Sequence, residues 1–212
     1  MPRRPLVAAF LAAMSLSFVA PAWAGQNHEH KAPVASSRAT EAKDAQRDVW
    51  VGHVFWVRNV AVETLQGNSA AAKAAEDQVV ANAKQIAAAI EPFYGKAASE
   101  KLFGLLAGHY GAVKEYLTAH DPAGQDAAWK KLGANAEEIA VFLSSANPNL
   151  PIDSLRSLLL AHGGHHVQQI KQLRDKDYAG EAQTWEQMKK HMYVIADALA
   201  GALAKQFPDK FA

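Results

Sequence analysis

Nine histidines and not one cysteine set the terms on which this chain can do chemistry. Without thiolates, a metal must be held by imidazole, carboxylate or amide, and iron–sulfur clusters, covalent c-type haem and cysteine nucleophiles are excluded. The densest histidine segment is LLLAHGGHHVQQI, residues 158 to 170, where His162, His165 and His166 interrupt a leucine-rich helical stripe. His53 in WVGHVFWV and His109 in LLAGHYGAV stand on similar apolar stripes, and His191 follows in MKKHMYVI. Neutral imidazole is the commonest metal ligand. Several inward-facing rings make a donor set for Zn, Cu, Ni or Co, whereas Mg and Ca prefer oxygen.

These histidines belong to a repeat. The segments ANAKQI (81–86) and ANAEEI (134–139) share four of six residues, and aligning Trp129 with Trp185 puts Asn135 opposite His191 and Ile139 opposite Ile195. On the preceding segments His53, His109 and His162 then align. His53 and Asn82 are 29 residues apart, His109 and Asn135 are 26 apart, and His162 and His191 are 29 apart. The midpoints fall at Gly67-Asn68, Pro122 and Lys176-Asp177, all turn-forming segments. Equal rise along two antiparallel helices therefore sets each histidine level with its partner.

The neighbours at helical spacing are apolar: Trp50, Val57 and Val60 around His53, Leu102, Leu105, Leu106 and Val113 around His109, and Leu155, Leu158 and Leu159 around His162. The spacing thus predicts a polar layer facing a core. The candidate metal ligands are His53, His109, His162, His166 and His191. Asn82 and Asn135 are expected to orient the ring N–H groups, and Glu138, three residues after Asn135, is the one carboxylate expected to face inward and complete the sphere. His165 and His166 lie one turn beyond the layer. Gly163 and Gly164 predict close approach of another helix, a ligand or a local bulge.

The same residues admit other readings. Each histidine could hydrogen-bond the asparagine opposite it and simply fix helix register, which would make the bundle a structural or partner-binding one. Non-covalent haem is a further option, with Trp50, Trp56, Phe93, Tyr110 and Phe142 as candidate lining. Catalysis has less to rest on. The sequence contains no Gly-x-Ser-x-Gly, no His-Glu-x-x-His and no phosphate-cradling glycine loop. Arg58 lies about 140° around its helix from His53 and is expected in a surface or interhelical ion pair.

The elements that must position the layer are helices. From Asp48 onward alanine is abundant, β-branched runs are scarce, and Gly, Pro, Asn and Asp cluster between amphipathic segments. The pattern predicts helices at about 47–65, 70–93, 98–119, 124–145, 152–175 and 181–206. Short connections favour antiparallel neighbours, so the fold class is all-α, a six-helix bundle of three αα-hairpins over residues 46–212.

Residues 1–24 read as a secretory signal peptide, with Arg3 and Arg4 before an apolar run and Ala22-Trp23-Ala24 as a cleavage site. Residues 25–45 are polar and without apolar periodicity, predicting a flexible arm in which His28-Glu29-His30 is a weak candidate metal contact. The expectation is an exported, periplasmic or secreted protein, with no transmembrane helix after cleavage and a core that must hold without disulfides. Whole-chain charge is +1, and acidic and basic residues are interspersed, so no nucleic-acid partner is implied. The implied partner is a metal ion or small ligand.

The segments HVFWVRNV (53–60), EPFYGKAASEKLFGLLAGH (91–109), NAEEIAVFLSSANPN (135–149) and KQFPDKF (205–211) resemble those of an uncharacterised bacterial family of small, Ala-rich helical proteins. The resemblance spans nearly all of the chain after the leader. It implies a helical fold and no particular activity. The first histidine of each hairpin matches the family pattern, while the HGGHH cluster departs from it.

Overall fold

The turn residues decide where the helices stop, and six helices result. The computed structural model describes residues 37–211. The expected signal peptide, and the arm up to residue 36, lie outside the described residues. The helices are α1 (Arg38–Leu65), α2 (Ser69–Tyr94), α3 (Lys96–Thr118), α4 (Pro122–Ala146), α5 (Ile152–Arg174) and α6 (Tyr178–Gln206), followed by a 3-10 turn at Pro208–Lys210. There is no strand among the described residues. Pro92 does not end α2, which runs on to Tyr94; Gly95, at φ +82°, ends it. The one large departure from the predicted bounds is α1, which begins at Arg38, so residues 38–45 are helical and not part of an irregular arm.

The second helix of each hairpin is started by the same device. Asn68, Asp121 and Asp177 accept side-chain hydrogen bonds from the backbone N–H of Ala71, Gly124 and Gly180. Such caps satisfy N–H groups that the first turn leaves without a partner. Each cap lies fourteen residues before the layer residue of its helix: Asn82, Asn135 or His191. Fourteen residues are close to four whole turns, so the three layer residues leave their helices at the same height and azimuth from the cap.

Each helix packs on the next in chain order, and α6 returns to α1, so the hairpins close into a ring; α5 also touches α1 and α3 across the interior. The α1–α6 seam carries two bidentate ion pairs. Arg47 donates to Asp197 through Nε and Nη2 at 2.7 Å each, and Arg58 donates to Glu181 through the same atoms at 2.6 Å each. Arg58 is thus interhelical. Glu181 is almost wholly buried and also accepts from Gln169 Nε2 at 3.0 Å. The core stripes expected from spacing are inside: Leu102, Leu105, Leu106, Val113, Leu155 and Leu159 are all buried.

The two glycines of the HGGHH segment differ. A Cβ at Gly163 would stand 3.1 Å from Leu132 Cδ2, so α4 approaches α5 closely there, whereas a Cβ at Gly164 would meet open space. Gly164→Ala should therefore raise stability by about 0.5–1 kcal/mol, the ordinary helix gain over glycine. Gly163→Val should lower it by about 1–3 kcal/mol through overpacking against Leu132. Urea unfolding midpoints of the two variants check both signs.

Candidate metal centre

Four histidines from three helices meet inside the ring. His53 on α1, His109 on α3, and His162 and His166 on α5 are each only 2–3 % exposed, and one ring nitrogen from each lies within 4.8 Å of the others. Ring centroids are 4.6–6.1 Å apart for all six pairs. The Nε2 atoms of His162 and His166 are 3.2 Å apart. Two nitrogens on one tetrahedral ion with ~2.0–2.1 Å bonds stand about 3.3–3.4 Å apart, so this pair is already at ligand spacing.

Burial keeps these rings neutral. The loss of water around His53, with the His109 charge adding to it, pushes its pKa down to about 3. Burial pushes His109 down to about 4, against a smaller opposing effect of the Asn135 side chain. His162 and His166 are held well below the usual histidine range by burial first and by their neighbouring imidazoles second. A neutral ring carries a nitrogen lone pair, which is what a metal takes.

The layer residues opposite do not hydrogen-bond the histidines. Asn82 Nδ2 donates to Val49 O at 2.9 Å, Asn135 Nδ2 to Leu105 O at 3.0 Å, and His191 Nε2 to Leu158 O at 2.8 Å. Each acceptor is the carbonyl four residues before His53, His109 or His162 respectively. The three bonds are equivalent in the repeat alignment. They leave the Oδ1 atoms of Asn82 and Asn135 buried without a protein partner, together with Nδ1 of His53, His109 and His162 and Nε2 of His109.

Of the five expected ligands the structure gathers four. His191 stands apart: its Nε2 is committed to Leu158 O, and its half-buried ring faces His165 at 5.4 Å. A neutral imidazole with its proton on Nε2 has an acceptor at Nδ1, so His191 matches the asparagines, each with a donor at one end and an acceptor at the other. Glu138 is exposed, not inward. The buried face of α4 is centred near Leu132, Ala136 and Ile139, and Glu138 points roughly 120° away from it. Two residues escaped the sequence reading. A Cβ at Gly52 or Gly108 would come within 3.2 Å of Asn82 Nδ2 or Asn135 Nδ2, so these glycines make room for the amides. The repeated Gly-His dipeptide was their signal.

On one side of the centre the bundle is hollow. His53, His109 and His162 border a cavity of about 60 Å³ that follows all six helices toward Gln46, Tyr94 and Asn147. Its wall is apolar and includes Trp50, Leu106, Phe142, Leu158 and Leu199. Of the aromatics expected to line a haem pocket, Trp50 and Phe142 do border it. Phe93 instead stacks on Phe211, Tyr110 borders a separate void of about 10 Å³ beside His166, and Trp56 lines an open α1–α2 groove. Cofactor pockets run to about 300–1,000 Å³, so a macrocycle does not fit here.

At the far end Tyr94, Asn147 and Gln206 form a network. Asn147 Nδ2 donates to the Tyr94 oxygen at 3.0 Å, Tyr94 donates to Gln206 Oε1 at 2.7 Å, and Gln206 Nε2 donates to Ala146 O at 3.0 Å. The EPFYG, ANPN and KQFP segments thereby meet at one pole.

The arrangement is an all-α bundle around a buried four-nitrogen centre. In comparisons with known proteins, no family model, no curated protein and no solved structure matched the chain.

The depressed histidine pKa values fix a pH dependence for the metal-free protein. The unfolded chain takes up protons near pH 6.5 that the folded chain refuses until well below it, so stability is full above about pH 6.5 and falls as the pH drops. Each excluded proton costs up to about 2 kcal/mol between pH 6.5 and 5. Urea midpoints at pH 7.5 and pH 5.0 in the presence of chelator should differ accordingly. Equal midpoints would refute neutral, buried imidazoles.

Proposed function

We propose that this is an exported metal-binding protein that holds one transition-metal ion on His53, His109, His162 and His166. The observation that carries the reading is the convergence of four neutral, buried imidazoles, among which Nδ1 of His53, His109 and His162 and Nε2 of His109 lack protein hydrogen-bond partners. An unpaired buried polar atom costs about 1–3 kcal/mol, and a metal bound through the Nε2 atoms removes that cost at His109 Nε2. The asparagine donors go to backbone carbonyls, so they do not take the imidazole lone pairs.

The donor set narrows the ion. Nitrogen ligands without carboxylate disfavour Mg and Ca, and His166, one turn from His162, lies off the level of the three repeat histidines, which disfavours a square-planar site. Zn and Co suit the geometry best, with Cu and Ni after them. Asn82, Asn135 and His191 then hold the rings in place, each offering its free acceptor to the Nδ1–H of the histidine opposite so that Nε2 carries the lone pair inward. Export is supported by the leader-like sequence of residues 1–24; no helix among the described residues is long and apolar enough to cross a membrane.

Elemental analysis of untagged protein and Co(II) titration followed by visible absorption test the reading. The melting temperature should rise with added metal, since an ion at a hundred times its Kd stabilises the folded state by about 2.7 kcal/mol. His109→Ala should weaken Co(II) binding at least tenfold, and Asn135→Leu by about 10–100-fold while leaving all four ligands in place. A wild-type melting temperature indifferent to Zn, Co, Cu and Ni would sink the proposal.

A further inference from the structure

The four histidines are not equivalent in what lies behind them. The three repeat histidines, one from each hairpin, border the apolar cavity, and His166 does not. His166 borders only the void of about 10 Å³ on the other side, barely room for one water. His53, His109 and His162 therefore form a triangular base, His166 stands on one side of it, and the opposite side faces open space. That space runs beside α1 from His53 to Gln46, two helical turns or about 10 Å.

We propose that the face of the centre opposite His166 is a binding position for a neutral diatomic molecule with a metal-binding lone pair, such as nitric oxide or carbon monoxide, delivered through this cavity. The inference rests on the metal reading above and adds the ligand. Size comes from the volume: about 60 Å³ is well under the ~150 Å³ that accepts benzene, so a molecule of a few heavy atoms fits and an aromatic ring does not. Charge comes from the wall. Trp50, Leu106, Phe142 and Leu199 offer no hydrogen bond to an anion in transit, and an ion pays heavily to enter such surroundings. Water is disfavoured for the same reason, because it needs two to four polar partners and these sit only at the two ends. The ion would have to be one with a partly filled d shell, such as Co(II), since closed-shell Zn(II) would not hold so weak a donor.

Ala198 and Leu199, on α6, border the cavity and are not among the four histidines, so they test the passage apart from the metal ligands. Xenon-129 NMR on the wild type should report one xenon site, with or without Co(II). Nitric oxide added anaerobically to the Co(II)-loaded protein should change its visible absorption. In Ala198→Leu and Leu199→Phe the Co(II) affinity should stay within about twofold, while xenon uptake and the nitric oxide response fall at least tenfold. Co(II) bound normally but indifferent to nitric oxide overturns the ligand proposal and leaves the metal reading standing. Two filled variants that respond like wild type overturn the route through the cavity, as does a wild type that takes up no xenon, whatever the variants do. Failure of the wild type to bind Co(II) at all defeats the metal reading and this inference with it.

Discussion

A nitrogen lone pair sealed inside an apolar bundle must find a partner, and most of this structure can be derived from how that demand is met. The outer helices meet their own share locally. A backbone carbonyl has two lone pairs, and within a helix the N–H four residues on takes only one. Asn82, Asn135 and His191 take up the second one on Val49, Leu105 and Leu158. The inner helices cannot do likewise, because their imidazoles point at one another across the ring. They are left as a cluster of acceptors and donors with one internal contact among them.

The choice of asparagine in two hairpins and histidine in the third follows from the same geometry. Either side chain donates to a carbonyl of the inner helix and carries an acceptor at its other end. The asparagine is shorter, so the inner helix must come closer, and Gly52 and Gly108 permit that approach. The third hairpin has Ala161 at the equivalent position and the longer His191 opposite it. The substitution conserves the hydrogen-bonding pattern while changing the spacing.

Much of this was legible in the sequence, for reasons that can be named. Gly67, Gly95, Pro122 and Asn147 punctuate the chain at helix ends, so five helices fell within about three residues of their predicted bounds. The start of α1 did not, because Arg38–Arg47 shows no apolar stripe; this turn-by-turn polar segment docks on α6 through Lys43 and Arg47 at Asp197, and hydrophobic spacing cannot register an ion pair. His53, His109, His162 and His166 could be found because imidazoles at helical spacing stood out against leucine. His191 carried the same signal and a different role, since spacing gives the face of a residue and not which of its atoms is already engaged. Glu138 failed on azimuth: three residues from Asn135 is near it along the helix, but on the far side from the centre of the buried face.

The closure of α6 on α1 also sets an order of events in folding. Each hairpin is built from contacts near in sequence and can form early, whereas the seam joins residues 123 and 150 positions apart, Arg58 with Glu181 and Arg47 with Asp197. The four-nitrogen centre draws on all three hairpins, so it exists only once they have docked on one another. An ion bound there stabilises the native state far more than the transition state that precedes ring closure. Its kinetic effect would therefore fall on unfolding, a loaded ring opening more slowly than an empty one.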